Sequence, residues 1–254
     1  MTGPILQVED LRKRFGGVVA ADSIALDLHP GEFHAVIGPN GAGKSTLVGL
    51  LAGEITPEAG SIRFAGGDIT RQRADRRSRL GLARSFQITS LFAEFTALDN
   101  VALAVQAHAG HSFHFWRDAR RERLLREPAL ASLTAVGLEA RADTRVDRLS
   151  HGEHRQLEIA VALASKPRLL LLDEPMAGLG PDETVRMTAL LRGLKGTLTI
   201  LLIEHDMETV FALADRITVL VYGRVIASGA PAAIRADAAV REAYLGEEGA
   251  HADA

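Results

Sequence analysis

The chain has 254 residues, of which 47% are hydrophobic, so it can bury a sizeable core and lies near the upper size of a single domain. Its formal net charge of −3 argues against a general polyanion-binding protein and predicts no nucleic-acid partner. The absence of cysteine excludes disulfides and thiol chemistry. The opening MTGPILQVED lacks the regions of a secretory signal, and no apolar run reaches the ~18 residues of a membrane-spanning helix.

The first third of the chain predicts strands, then a loop and a helix. Residues 5–37 contain the short runs ILQVED, IALDL and FHAVIG, with Pro30 and Gly31 at a turn, so an antiparallel opening is expected. FHAVIGPNGAGKSTLVGLLAG then reads as a buried strand, a glycine-rich loop and a helix. SIRFAGGDIT predicts a hairpin that turns at Gly66 and Gly67.

The middle of the chain predicts helices. TALDN has threonine and aspartate spaced as a capping box, and a further helix is expected to begin at Ser150. We therefore predict one domain, residues 1–254, in which a helical subdomain of residues 92–165 is inserted into a core of residues 1–91 and 166–254.

The last third of the chain again predicts strands. RLLLLDEP and LTILLIEHD are apolar runs of strand length that end in acidic or imidazole side chains, as buried parallel strands do at their carboxyl edge. RITVLVYGRVIASG predicts a hairpin that turns at Tyr222 and Gly223, and a pair of short helices is expected after it.

The glycine-rich loop has the pattern G-x-x-x-x-G-K-[ST], with an apolar strand before it and a helix after it. In that context backbone amides converge on phosphate oxygens, the helix adds its positive N-terminal end, lysine contacts the β and γ phosphates, and the serine hydroxyl can ligate Mg²⁺. The alternative is a glycine-rich turn that only caps a helix. The predicted phosphate-binding residues are Gly38, Pro39, Asn40, Gly41, Ala42, Gly43, Lys44, Ser45 and Thr46.

Two adjacent acids follow the strand LLLL. We expect Asp173 to join the Mg²⁺ shell and Glu174 to orient and deprotonate water. Without the glycine-rich loop, a solvated strand end would be an equally good interpretation.

Several nucleotide-binding classes share this loop. A GTPase is disfavoured because neither asparagine is followed by lysine, as Asn-Lys-x-Asp requires, whereas the arginine-rich RADRRSRLGLAR could mimic the lid of a small kinase. LSHGE, placed before a helix and upstream of LLLLDEP, resembles the signature motif of ATP-binding cassette (ABC) proteins. The resemblance covers residues 5–246, and it implies an α/β fold: a P-loop NTPase (RecA-like) ABC ATPase core with an antiparallel β subdomain and an inserted helical subdomain.

The resemblance also implies roles for single residues. Phe15 matches the aromatic residue that stacks on adenine, Gln87 the glutamine loop that joins Mg²⁺ and water to the helical subdomain, and His205 the switch histidine. Together with Glu174, Gln87 and His205 are the expected catalytic residues. Ser45, Gln87 and Asp173 are the expected Mg²⁺ ligands.

In the resembling family the signature helix faces the nucleotide of a second subunit. Ser150 and the Gly152 amide, with Glu153 beside them, would then contact a γ phosphate held by the partner. The plainer interpretation is that Ser150 and Glu153 only form a capping box, and both can hold. Gly180 stands where the family has aspartate or asparagine, which puts communication between the two sites in doubt.

The segments KRFGGVVA, GLARSFQITSLFAEFTALDNV and DEPMAGLGPDE, among others, resemble the corresponding segments in the ATP-binding subunits of branched-chain or hydrophobic amino acid importers. That resemblance implies ATP and Mg²⁺, a second ATPase subunit as a homo- or heterodimer, two permeases, an extracytoplasmic solute-binding protein, and a peripheral location at the cytoplasmic face of the membrane. Urea or amides are alternative solutes, and a non-transport ABC ATPase is the alternative function.

Four arginines have no role in this scheme. We expect Arg76, Arg77, Arg79 and Arg84 to form the charged face of a helix.

Overall fold

The computed structural model describes residues 3–85, 91–109 and 123–243. Its strands are β1 (Leu6–Phe15), β2 (Val18–Leu28), β3 (Phe33–Ile37), β4 (Ala59–Phe64), β5 (Gly67–Asp68), β6 (Leu82–Arg84), β7 (Leu169–Asp173), β8 (Thr199–Ile203), β9 (Arg216–Val221) and β10 (Arg224–Gly229). Its helices are α1 (Lys44–Ala52), α2 (Ala74–Arg79), α3 (Ala97–Ala109), α4 (Arg123–Ala135), α5 (His151–Leu163), α6 (Pro181–Leu194), α7 (Met207–Leu213) and α8 (Pro231–Ala236). Among the helices of these ranges, none combines the length and apolar character needed to cross a membrane.

Two sheets organise these elements. The smaller sheet is antiparallel, with the order β2-β1-β4-β5, and the larger has the order β10-β9-β3-β8-β7-β6. In the larger sheet β6, β7, β8, β3 and β9 are parallel and β10 is antiparallel to β9. The antiparallel opening and the α/β fold class predicted from the sequence are confirmed.

A bulge in β1 explains an irregularity in its apolar pattern. Leu6 and Val8 alternate as a strand requires, but the next buried residue is Leu11, three positions on. The pairing with β2 shifts between Val8 and Leu11, where Asp10 has a φ of 47°. A Cβ on Gly60 would lie 2.3 Å from the Asp10 carbonyl oxygen, so glycine is required opposite the bulge.

The four leucines of β7 belong to two hydrophobic clusters. Leu169 and Leu171 pack in the cluster that contains α1 and β1, and Leu170 and Leu172 pack in the cluster that contains α5 and α6. Because successive side chains of a strand point to opposite faces, α1 and α5 lie on opposite faces of the larger sheet. The described residues between 91 and 165 contain α3, α4, α5 and two short 3₁₀ turns, while the division into subdomains stays a prediction.

The two predicted hairpins are present, one of them with its turn displaced. The β9–β10 turn consists of Tyr222 and Gly223, as predicted. The β4–β5 turn consists of Ala65 and Gly66, with φ values of 51° and 83°, and Gly67 already pairs with the end of β4. The prediction was one residue late because two adjacent glycines mark the turn equally well in sequence.

The prediction that four arginines form the charged face of a helix is wrong for two of them, Arg77 and Arg84. Arg76 and Arg79 are exposed, but Arg77 is buried and donates to the carbonyl oxygens of Leu50 and Leu51 at 2.7 Å each. Burial lowers the pKa of Arg77 to about 10. Arg84 ends β6 and pairs with a buried carboxylate of the site described below.

Candidate nucleotide site

The site residues lie at one edge of the larger sheet. All five parallel strands end there, which brings together the segments that follow β3, β6, β7, β8 and β9. Since β8 lies between β3 and β7, the acids at the end of β7 lie across the end of β8 from the glycine-rich loop.

Two glycines let the loop pass close to neighbouring backbone. Gly38 has a φ of 155°, and a Cβ there would lie 2.0 Å from the Leu220 carbonyl oxygen. Gly43 has a φ of 99°, and a Cβ there would lie 2.3 Å from the Ala20 carbonyl oxygen. A Cβ on Gly41 would meet nothing within 4 Å, so the loop packs against β2 and β9 on one side and is open at its tip.

The helix after the loop begins without a side-chain cap. Gly43 is the N-cap residue, and the first turn of α1 has no acidic residue. A helix start of this kind, with neither a capping side chain at the N-cap position nor an acidic residue in the first turn, is suitable for an anion because of the helix dipole. Lys44 donates to the carbonyl oxygens of Gly38 at 2.6 Å and Pro39 at 2.9 Å, which holds the start of the loop against α1. Ser45 is exposed in the first turn and Thr46 is half-buried.

Asp173 is buried at the end of β7, with a side chain only 1% exposed. Its Oδ2 atom accepts from Arg84 Nη2 at 2.9 Å, and Arg84 also forms an ion pair with Glu54. Mg²⁺ sites use one or two carboxylates together with phosphate oxygens, so Asp173 and the Ser45 hydroxyl are a suitable donor set.

Glu174 follows Asp173 in an unusual backbone conformation. Its φ of 48° lies in the left-handed region, which side chains other than glycine, asparagine and aspartate seldom adopt. Two hydrogen bonds fix the turn: the Glu174 amide donates to the Ile203 carbonyl at 2.9 Å, and the Ala177 amide donates to the Glu174 carbonyl at 3.1 Å. Strain of this kind often accompanies a side chain whose position is functionally constrained.

His205 follows β8, and its side chain is 67% exposed. The residue before it, Glu204, has a fully buried carboxylate. Glu204 Oε1 accepts from the Met176 amide at 2.8 Å and Oε2 accepts from the His205 amide at 3.1 Å. Burial raises the pKa of Glu204, and these amide hydrogen bonds act in the opposite direction.

The signature segment forms the predicted capping box. Ser150 Oγ accepts from the Glu153 amide at 3.2 Å and the Glu153 carboxylate accepts from the Ser150 amide at 2.8 Å. The Gly152 amide donates to Glu183 Oε1 at 3.1 Å, and the other oxygen of Glu183 accepts from the Gly180 amide at 3.2 Å. Glu183 thus links the start of α5 to the start of α6. Because α5 and α1 lie on opposite faces of the larger sheet, this segment is not adjacent to the loop of its own chain.

The remaining predicted residues are Phe15 and Gln87. Phe15 ends β1, is 49% exposed, and has the Lys13 ammonium 5.3 Å from its ring centroid. It pairs with Val18, two residues before the Ala20 that contacts the phosphate loop, so its ring lies at the end of the hairpin nearest the loop. Gln87 lies outside the described residues, and its assignment stays a prediction.

Three residues of the site were missed by sequence reasoning: Arg84, Glu183 and Glu204. Their partners lie far along the chain, for example 89 positions between Arg84 and Asp173 and 28 between Glu204 and Met176. One signal was present for Glu204, since a glutamate at the end of an apolar strand is either a site residue or a buried charge that needs partners.

Comparison with protein families gives two matches. Residues 21–177 match the family model described as ABC transporter, and residues 224–250 match the model described as branched-chain amino acid ATP-binding cassette transporter. The first match includes the glycine-rich loop, the signature segment and the strand that ends in Asp173.

Individual relatives extend over almost the whole chain. The chain is 40% identical to the high-affinity branched-chain amino acid transport ATP-binding protein BraF of Pseudomonas aeruginosa and 38% identical to LivG of Escherichia coli K12, covering 97% of this chain and 100% of each relative. It is 34% identical to the lipopolysaccharide export system ATP-binding protein LptB of Acidithiobacillus ferridurans, over 96% of this chain and 98% of that protein.

Solved structures agree. The ADP conformation of MJ1267, an ATP-binding cassette of an ABC transporter, superposes with a TM-score of 0.85 at 29% identity and covers 96% of this chain and 100% of that one. The fold, the family models and the full-length relatives therefore lead to one assignment: the chain belongs to the ABC transporter family, as an ATP-binding, ATP-hydrolysing subunit.

Proposed function

We propose that the chain hydrolyses ATP to drive the uptake of branched-chain or other hydrophobic amino acids through partner permeases. The observation that carries the solute class is the match of residues 224–250 to a branched-chain amino acid model, together with the full-length similarity to BraF and LivG. The similarity to LptB, named for lipopolysaccharide export, means that the cassette fold alone specifies neither cargo nor direction.

Nucleotide binding is assigned to the loop and the first turn of α1. Backbone amides of residues 38–46 and the Lys44 ammonium hold the β and γ phosphates, with Ser45 and Thr46 as hydroxyl contacts. The half-exposed ring of Phe15 gives adenine an apolar surface on which to stack. The Lys44 ammonium must exchange a loop carbonyl for a phosphate oxygen, a more strongly polar acceptor.

Ser45 and Asp173, with Gln87, are the residues that would hold Mg²⁺, which when bound neutralises charge on the β and γ phosphates. Arg84 binds Asp173 through one of its two oxygens, Oδ2. The backbone of the adjacent Glu174 is fixed by hydrogen bonds on both sides, which gives its side chain a defined starting point. Its carboxylate would act as the general base that deprotonates water, and general-base catalysis contributes roughly 10²- to 10⁴-fold to a rate. The exposed His205 ring would position the γ phosphate and the attacking water.

The complete site requires a second subunit. Ser150 and the Gly152 amide of one subunit would contact the γ phosphate bound to the other, with the Gly152 amide exchanging its Glu183 acceptor for a phosphate oxygen. ATP would then favour closure of the pair and hydrolysis its opening. The position of α5 on the face of the sheet opposite α1 supports this assignment. The partner subunit is a second copy or a related ATPase.

Contact with the permeases is assigned to the helical part of the chain. A cavity of about 350 Å³ lies where α2 and β6 of the core meet α3 and α5, and its lining is mixed, with small apolar residues such as Ala83 and Ala162 beside the charged residues Glu54, Arg84 and Glu158. Side chains of a permease segment would enter this cavity, next to the strand that leads to Gln87. The chain would then be peripheral at the cytoplasmic face, and an extracytoplasmic solute-binding protein would deliver the amino acid.

Two measurements test this function. ATP turnover by the assembled transporter should be abolished by Glu174→Gln, and unchanged turnover would reject Glu174 as the base. Deletion of the chain should abolish uptake of radiolabelled leucine by cells. Normal uptake combined with ATP turnover that needs no membrane subunit would instead favour a non-transport ABC ATPase.

A further inference from the structure

Glu204 is a buried acid that the proposed mechanism does not use. Its side chain is 0% exposed, and both carboxylate oxygens accept from backbone amides, those of Met176 and His205. A buried carboxylate is costly unless its acceptors are satisfied, so a group of this kind is expected to have a specific reason for its position. The two amides that it binds belong to the two segments that carry the proposed base and the proposed switch histidine.

Glu204 helps to fix the backbone turn that contains Glu174. The left-handed backbone at Glu174, with a φ of 48°, is strained, and such a conformation persists only where its surroundings fix it. The Glu174 amide is bonded to Ile203, the last residue of β8, and the Met176 amide two residues on is bonded to Glu204, the next residue after β8. The turn that aims Glu174 is therefore attached to the end of β8 at two consecutive positions.

The same carboxylate fixes the start of the segment that carries His205. Glu204 Oε2 accepts from the His205 amide, and the following residue, Asp206, caps α7 through the amides of Glu208 and Thr209. The exposed His205 ring thus projects from a backbone that is fixed on both sides. One buried side chain connects the segment of the base to the segment of the histidine.

We propose that Glu204 is a positioning residue for ATP hydrolysis, holding Glu174 and His205 in a fixed relation through the Met176 and His205 amides. This inference rests on the proposed function, because it assumes that Glu174 and His205 act on the γ phosphate. Glu204 touches no reacting atom. Its loss should therefore lower turnover without weakening nucleotide binding, which depends on the loop after β3.

The test compares Glu204→Gln with a matched control in the assembled transporter. Glutamine has the same shape but only one oxygen, so one of the two amides loses its acceptor. The control is Glu32→Gln: Glu32 is also largely buried and accepts from a backbone amide, that of His29, but it precedes β3 at the opposite end from the site. We expect Glu204→Gln to lower kcat at least tenfold with KM for ATP changed less than twofold, whereas Glu32→Gln lowers Tm and leaves kcat within twofold.

The affinity for ATP separates positioning from general support. If Glu204 acts only by positioning Glu174 and His205, Glu204→Gln should bind ATP as tightly as the wild type, whereas a general loss of structure would weaken binding and turnover together. Should Glu204→Gln fail to fold, Glu204→Asp takes its place, because the aspartate side chain is too short to reach both amides. The same lowered kcat and nearly unchanged KM for ATP are expected. Wild-type kcat in whichever of these two variants is folded would overturn the inference. Wild-type kcat in Glu174→Gln would instead reject the base assignment and with it the proposed function.

Discussion

Arg77 shows how much a single side chain can contribute when its partners are backbone groups. Its guanidinium donates to four carbonyl oxygens, two of them at the C-terminal end of α1, the helix that begins at the phosphate loop. The last carbonyls of a helix have no partner within it, and a buried cation at that end also complements the helix dipole. Sequence alone could not assign this role, because Leu50 lies 27 positions before Arg77.

We expect Arg77→Met to destabilise the chain by roughly 3–5 kcal/mol, because it leaves buried carbonyl groups without a donor. Urea unfolding of the purified chain measures this. Arg76→Met, an exposed neighbour on the same helix, is the control and should change stability by less than about 0.5 kcal/mol. Equal effects of the two variants would contradict a capping role for Arg77.

The lowered pKa of Glu32 predicts how the stability of the fold depends on pH. Burial by itself would raise its pKa, but hydrogen bonds from His34, Arg216 and the His29 amide outweigh burial and hold the pKa at about 2, below the ordinary 4.5. A lowered folded-state pKa stabilises the fold above the unfolded pKa, and that stability is lost as pH falls from 4.5 toward 2. The contribution at neutral pH is about 3 kcal/mol as an upper bound.

The variant Glu32→Gln should therefore be less stable at neutral pH and lose less stability on acidification than the wild type. Unfolding free energies measured at several pH values between neutrality and pH 3 give both slopes. Parallel curves for the two proteins would show that Glu32 is not the titrating group.

At the scale of elements, the start of α1 differs from the starts of α5 and α7. The Ser150 hydroxyl caps α5 and the Asp206 carboxylate caps α7, whereas α1 begins at Gly43 with no side-chain cap. An uncapped helix start retains its donors for a ligand. This element could be predicted from the sequence because loop, strand and helix are contiguous, whereas the link from Gly152 to Glu183 crosses 31 positions and could not.

The two glycines of the loop should respond differently to alanine. Gly43→Ala brings a Cβ to 2.3 Å from the Ala20 carbonyl oxygen, so the loop or β2 must move, and we expect ATP binding to be lost. Gly41→Ala meets nothing within 4 Å and should cost only about 1–2 kcal/mol from its positive φ of 77°. Titration with a fluorescent ATP analogue, combined with thermal unfolding, distinguishes the two, and equal loss of binding would show that the close approach to β2 is not what matters.

At the scale of the whole molecule, the larger sheet lies between α1 and α5, the helices that follow the two segments proposed to bind phosphate. The alternating leucines of β7 place α1 on one face and α5 on the other, which favours the proposal that a site built from both segments uses two chains. The order of the motifs along the sequence was enough to predict the fold class, while the roles of the residues in each segment stay predictions. It could not show which buried side chains, among them Arg84 and Glu204, hold those segments in place, because tertiary contacts are not encoded in local spacing.

Assembly of the site in trans is the central claim, and complementation tests it most directly. Lys44→Ala disables the phosphate loop of its own chain, and Ser150→Arg disables the signature segment that the partner's nucleotide requires. In a transporter whose two ATPase subunits are both copies of this chain, each variant alone should be inactive in ATP turnover, while an equal mixture forms some pairs with one intact site and should recover about a quarter of wild-type turnover if pairing is random. In that transporter, a mixture as inactive as its components, or full turnover by Ser150→Arg alone, would contradict the account.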